Sequence, residues 1–220
     1  MTPLKFGAGF CLAAAFAISA GPVFADEGMW TYDNFPTAKV NAEYGLKLDQ
    51  KWPDRVQGAS VRLTTGCSAS LVSKSGLVFT NHHCVVECVQ DISSDKTDFV
   101  KDGFAAATRE EEKKCPGMQA EILASITDLT KQIQGATAGK TGQDFVKARD
   151  AAMASAEQAG CADDPLVRCQ VISLYRGGQF KLYKYRKYAD VRLVFAPEFA
   201  TAFFGGDPDN FNFPRFNLDV

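Results

Sequence analysis

Histidine is nearly absent from this sequence: its 220 residues hold two. Imidazole chemistry therefore rests on one short stretch, because the two are adjacent, His82 and His83. An excess charge of one sign is missing as well. A net charge of -2 gives no electrostatic reason to expect nucleic acid or an anionic membrane as a partner. After the first 25 residues no stretch is apolar enough to cross a bilayer, and there is no internal repeat or low-complexity linker. What remains is a chain of ordinary globular composition, long enough for one or two domains, with 46% hydrophobic and 23% charged residues. Its 17 Phe suit a filled core or an aromatic cleft and do not choose between them.

Residues 1–25 read as a secretory signal. Lys5 supplies the basic start, Phe6 to Ile18 is apolar, and Val23-Phe24-Ala25 offers small residues for cleavage after Ala25. A membrane anchor is the competing reading. The apolar core falls short of the ~20 residues a span needs, and Gly21-Pro22 interrupts it. Cys11 would leave with the signal. Cys67, Cys84, Cys88, Cys115, Cys161 and Cys169 remain, an even set that reads as disulfides in an oxidising compartment. The expected location is the periplasm or the exterior. Spacing leaves the pairing open. Cys161–Cys169 reads as a short bridge and Cys88–Cys115 as a longer one.

The mature chain reads as β-rich with helical excursions. A short helix fits Ala38 to Gln50. Strands are predicted at Ser60 to Leu63, Ser68 to Ser73 and Leu77 to Asn81, the last two joined by the Lys74-Ser75-Gly76 turn. Asp91 to Lys114 is polar and reads as a loop with helical pieces. Gln119 to Thr127 alternates like a half-buried strand. Gly142 to Ala159 has the character of a solvent-facing helix that ends near Gly160. Cys169 to Tyr175, Gln179 to Tyr185 and Asp190 to Phe195 are further strands, the first two joined through Arg176-Gly177-Gly178.

The stretch that carries chemistry runs from Gly66-Cys67-Ser68-Ala69-Ser70 to Phe79-Thr80-Asn81-His82-His83-Cys84. In an extended segment adjacent side chains face opposite ways, so one histidine can serve a cleft. A zinc site built from His82, His83, Cys84 and Cys88 is disfavoured, because no second paired knuckle accompanies them. No metal or other cofactor is expected. Ser68 and Ser70 read as strand residues, and no Gly-x-Ser-Gly turn that could hold a nucleophile occurs. The second stretch is the block Gly205-Gly206-Asp207-Pro208-Asp209-Asn210-Phe211-Asn212-Phe213-Pro214-Arg215, followed by Asp219. Asp207, Asp209 and Asp219 could each orient an imidazole, and chemistry alone does not rank them, since Asp in such loops is commonly a turn former.

The first stretch resembles the trypsin-like serine proteases, in which a small-residue strand precedes one ending in Thr-Ala-Ala-His-Cys. That resemblance implies a Cys67–Cys84 disulfide, worth ~3 kcal/mol if unstrained, with His83 beside it as the catalytic base. The mature start Asp26-Glu27-Gly28-Met29-Trp30, the Thr80 to Cys84 segment and the Gly-Gly-Asp-x-Asp-Asn block together resemble the bacterial dipeptidyl-peptidase 7/11 family, in family order along the mature chain.

The family resemblance implies a trypsin-like double β-barrel with an inserted helical domain and a His, Asp, Ser triad. Matched by motif, the base is His83 and the orienting carboxylate is Asp219. Asn210 receives the free amino terminus of the substrate, beside Phe211, where the family usually has Trp. Phe216-Asn217-Leu218 stands where the family has His-Thr-Gly. Residues 26–220 are then expected to be the N-terminal part of the peptidase domain, mainly β with an incomplete barrel, lacking the second barrel, the helical domain and the serine. The implied activity is release of N-terminal dipeptides from oligopeptides, with these 220 residues silent in isolation. A homodimer of the full-length enzyme is left open. Two rivals are another exported trypsin-like endopeptidase and a secreted binding module built on a decayed protease fold.

Overall fold

The computed structural model describes residues 29–202 and 219. The expected signal segment, Asn210, Phe211 and the other aspartate candidates Asp207 and Asp209 lie outside the described residues. The chain divides into a leading unit, Met1–Trp30, and a main unit, Thr31–Val220. Every helix and strand among the described residues belongs to the main unit.

After a 3-10 turn at Tyr32–Asn34 come two helices, α1 (Thr37–Tyr44) and α2 (Lys51–Ala59). The predicted helix stops at Gly45, which takes the left-handed conformation that ends helices without steric cost (φ 64°). In α2, Pro53 sits in the first turn, where a missing N–H costs nothing. This helix runs straight into β1 (Ser60–Leu63), followed by β2 (Ser68–Leu71) and β3 (Val78–Phe79). Next come α3 (Val86–Asp91), α4 (Phe99–Asp102), β4 (Phe104–Ala105), β5 (Lys113–Lys114), β6 (Ala120–Asp128), α5 (Thr130–Thr137) and α6 (Gly142–Cys161). The described part closes with β7 (Val167–Leu174), β8 (Gln179–Tyr188), β9 (Arg192–Leu193), β10 (Phe195–Ala196) and α7 (Phe199–Ala202).

One six-stranded sheet dominates, in the order β3-β2-β1-β6-β8-β7 with every neighbouring pair antiparallel. Its outer strands, β3 and β7, are not bonded to each other, so the sheet is open and no closed barrel forms among the described residues. The mainly-β expectation is corrected as well: the fold mixes sheet and helix, and helical residues outnumber strand residues among those described. The reason is local. α2 and α5 form in segments where Pro53, Gly135 and several Thr mask the helical pattern, and the predicted strand Asp190 to Phe195 breaks into two short pairings, β9 with β5 and β10 with β4.

Alternation along β8 sorts the sheet's two faces. Phe180 and Leu182 pack with Ile133 of α5, Ala156 of α6 and Val171 of β7. On the other face Lys181 is 3% exposed, and its ammonium donates to Asp33 at 2.6 Å and to Thr31 at 3.4 Å. Glu121 is also buried and accepts from Arg62 and Arg168, whose guanidinium stacks over Tyr185. These charges are tolerated inside because each has a partner. A second core joins Cys88, Val89, Phe104, Cys115, Met118 and Leu193, and a third joins Val61, Leu63, Cys84 and Ala120 beneath the β1–β2–β3 end. Three disulfides staple these layers: Cys67–Cys84, Cys88–Cys115 and Cys161–Cys169. No helix among the described residues is long and apolar enough to cross a membrane.

Candidate active site

The β2–β3 hairpin delivers the histidines. Ser70 pairs with Phe79 and Leu71 with Val78, and the Thr80 hydroxyl donates to the Ser68 carbonyl at 3.0 Å. The chain then tightens into a 3-10 turn, His82–Cys84, in which the Cys84 N–H donates to the Asn81 carbonyl at 3.1 Å. Cys84 is buried and bonded to Cys67, whose carbonyl accepts from Leu63 N–H at 2.8 Å. The residue before Cys84 is therefore held from two sides, by the hairpin and by the sulfur bridge.

The expectation of an extended segment fails here, for a physical reason. Successive side chains of a 3-10 turn lie about 120° apart rather than on opposite faces. The two rings still part company. His82 is 2% exposed, whereas the His83 side chain is 41% exposed. Of the two, His83 is the one a substrate can reach.

Asp219 comes to this turn from far along the chain. Its Oδ2 lies 2.7 Å from His83 Nδ1, and its Oδ1 accepts from the His83 backbone N–H at 2.9 Å. The Asn81 side-chain amide donates to the Asp219 backbone carbonyl at 3.1 Å. The residue is thus gripped at both ends. An ionised carboxylate only accepts, so the proton of a neutral His83 sits on Nδ1 and the lone pair on Nε2. No hydrogen bond to that Nε2 is made among the described residues, which leaves it able to take a proton from another group.

Burial of Asp219 opposes its ionisation, but the two hydrogen bonds from His83 and the nearby imidazoles outweigh it and hold the carboxyl below its ordinary value. The sign follows directly. A carboxylate with a lowered folded pKa adds stability that is present above its unfolded pKa and lost as pH falls through the folded one. The pair therefore loosens only in acid, below the usual carboxylate range.

Cys67, Cys84 and His83 bring three candidate metal-donor atoms within 4.8 Å of one another. The two sulfurs are bonded to each other, which leaves one imidazole, too few donors for a cation. Sequence reasoning missed two groups. Asn81 could have been found, as the polar residue directly before the histidine turn. The Pro197 carbonyl, which faces His82 at 3.1 Å, could not, since a backbone atom over a hundred positions away leaves no signal in composition.

A family model for peptidase S46 matches residues 25–220. The chain belongs to the peptidase S46 family. Dipeptidyl-peptidase 7 of Porphyromonas gingivalis is 33% identical to this S46 chain, over 94% of the chain and 30% of the relative. The Asp/Glu-specific dipeptidyl-peptidase of Porphyromonas endodontalis is 31% identical, over 89% of the chain and 29% of the relative. The crystal structure of Porphyromonas endodontalis DPP11 superposes with a TM-score of 0.73 at 28% identity, covering 89% of the chain and 29% of that structure. A complex of that protein with the dipeptide Arg-Glu matches equally well, with a TM-score of 0.73 at 27% identity, over 88% of the chain and 30% of that structure. This S46 chain thus spans about 30% of the length of the curated relatives it matches.

Proposed function

We propose that this chain is the N-terminal part of a serine dipeptidyl peptidase, in which His83 is the general base and Asp219 its orienting carboxylate. One observation carries the reading: the 2.7 Å contact between Asp219 Oδ2 and His83 Nδ1, on an exposed ring fixed beside a disulfide. His83 Nε2 takes the proton of a serine hydroxyl as that oxygen attacks the peptide carbonyl, then gives it to the leaving amine. Asp219 keeps the imidazole in the productive tautomer and stabilises the imidazolium. The serine belongs to a part of the protein that these 220 residues do not span, and the complete site has the trypsin-like arrangement.

The names of the relatives support dipeptide release, and a dipeptide complex of one of them supports a peptide substrate. Asn210 is assigned to the free α-ammonium of the substrate, through its side-chain oxygen, with Phe211 beside it. The three disulfides suit an oxidising compartment, in keeping with cleavage after Ala25 and export to the periplasm or beyond.

The discriminating test against an endopeptidase is Asn210→Ala in the full-length protein. A lost hydrogen bond to a charged group is worth about 1.5–3 kcal/mol. Release of chromogenic dipeptides should fall roughly 10- to 100-fold, while cleavage of N-terminally blocked peptides stays at its wild-type level. Equal losses on both substrate types would remove the exopeptidase assignment. Purified residues 26–220 alone should release no dipeptide above background in the same assay, since they lack the nucleophile.

A further inference from the structure

His82 is a polar ring in a place where an apolar one would pack. It is 2% exposed, with the Phe199 ring edge-on at 6.1 Å between centroids. Its Nε2 faces the Pro197 carbonyl oxygen at 3.1 Å. A carbonyl only accepts, so Nε2 carries the proton and donates it. Its Nδ1 is buried and has no hydrogen-bond partner among the described residues. Burial lowers the basicity of the ring; the Pro197 bond and the Asp219 charge pull the other way and do not overcome it, and His83 adds to the lowering. His82 therefore stays neutral and keeps donating when His83 takes a proton.

Neighbouring residues of one 3-10 turn thus hold both ends of one stretch of chain. His82 holds its start at Pro197, and His83 holds its end at Asp219. We propose that His82 is a positioning residue for the His83–Asp219 pair: its Nε2–H bond to the Pro197 carbonyl pins the 3-10 turn that His82 shares with His83, and so fixes the His83 imidazole against the Asp219 carboxylate. The inference rests on the roles given above to His83 and Asp219. It assigns His82 no contact with substrate.

The test compares full-length wild type with His82→Leu and His82→Gln. Leu fills the site without a donor, and Gln restores an N–H at a similar reach. Three quantities are measured: kcat and KM against pH, thermal denaturation, and the downfield NMR resonance of the His83 Nδ1–H. In His82→Leu, kcat should fall roughly 10- to 100-fold, with KM changed by no more than about twofold. The acid limb of kcat/KM should move to lower pH, because a less well-held carboxylate stabilises the imidazolium less. The downfield resonance should broaden or vanish. His82→Gln should recover most of the rate, the limb and the resonance.

Wild-type kcat and resonance in a folded His82→Leu overturn the inference. So does a folded His82→Gln as impaired as His82→Leu, which reduces the ring to packing. If His82→Leu does not fold, His82→Gln decides alone: rate and resonance retained support the inference, and both lost in a folded protein end it. If wild type releases no dipeptides, the peptidase reading fails by itself, and the resonance comparison still decides whether His82 positions the pair.

Discussion

Replacing His83 with Ala in the full-length protein is expected to lower kcat/KM for dipeptidyl substrates by roughly a million-fold. The members of a catalytic triad act as a unit, and losing the base removes nearly all that the unit provides. The His83 side chain is 41% exposed and sits at the edge of its sheet, so truncation leaves no core cavity and the protein should melt near the wild-type temperature. A large loss of rate with an intact fold separates a chemical role from a structural one. The adjacent histidine sharpens the comparison. His82→Leu is expected to cost two orders of magnitude at most, so the ranking of the two variants shows which ring takes the proton. A ranking in which His82 matters more than His83 would discard the assignment of the base.

Asp219→Asn is expected to lower kcat by about ten thousand-fold with little change in fold. The substituted amide can still accept from the His83 backbone N–H, where Asp219 Oδ1 now accepts at 2.9 Å. The other half of the side chain decides the outcome. In one orientation it presents N–H to His83 Nδ1, where Oδ2 now lies at 2.7 Å, and a donor there drives the ring proton to Nε2. A ring protonated at Nε2 has no lone pair for the serine. The geometry survives while the tautomer is wrong, which is why a nearly isosteric change should cost so much. Measuring kcat for Asp219→Asn beside Asp219→Glu checks this. If Asn matches wild type, Asp219 is a structural anchor of the turn and nothing more.

Much of the sheet is legible in the sequence because its strands announce themselves locally. β1 begins and ends where the pattern of Ser60 to Leu63 puts it, and α6 covers the predicted helix to within two residues of its end. β6 forms where Gln119 to Thr127 puts it, but the expected alternation does not hold: Glu121 and Leu123 are buried and Ala124 is exposed, because ion pairing takes Glu121 inside and the register shifts between Leu123 and Ser125. Short pieces are illegible for the opposite reason. β4, β5, β9 and β10 have two residues each and exist only because a partner from elsewhere in the chain lies beside them. Local propensity carries no record of that. At the site, chemistry leaves three aspartates equivalent; the family resemblance singles out Asp219, and the described contact with His83 is made by that residue. The divergence of His82 and His83 is expected from the sequence on a false premise, an extended backbone. The turn that stands in its place separates the rings by a different angle and leaves one of them reachable.

The buried Lys181 ammonium has a consequence for how far the amino terminus of this domain can be trimmed. Its partner Asp33 lies only a few positions beyond the expected signal cleavage site. A processing or degradative protease that nibbles from the amino terminus can remove residues up to Tyr32 and leave the charge matched. One step further, past Asp33, strands a positive charge that is 4% exposed and has lost its hydrogen-bonded carboxylate, with only the more distant charge of Asp128 to answer it. Tolerance to end-trimming in this domain should therefore stop abruptly at that aspartate, so that the sheet itself, rather than the specificity of the protease, defines the shortest amino terminus that survives.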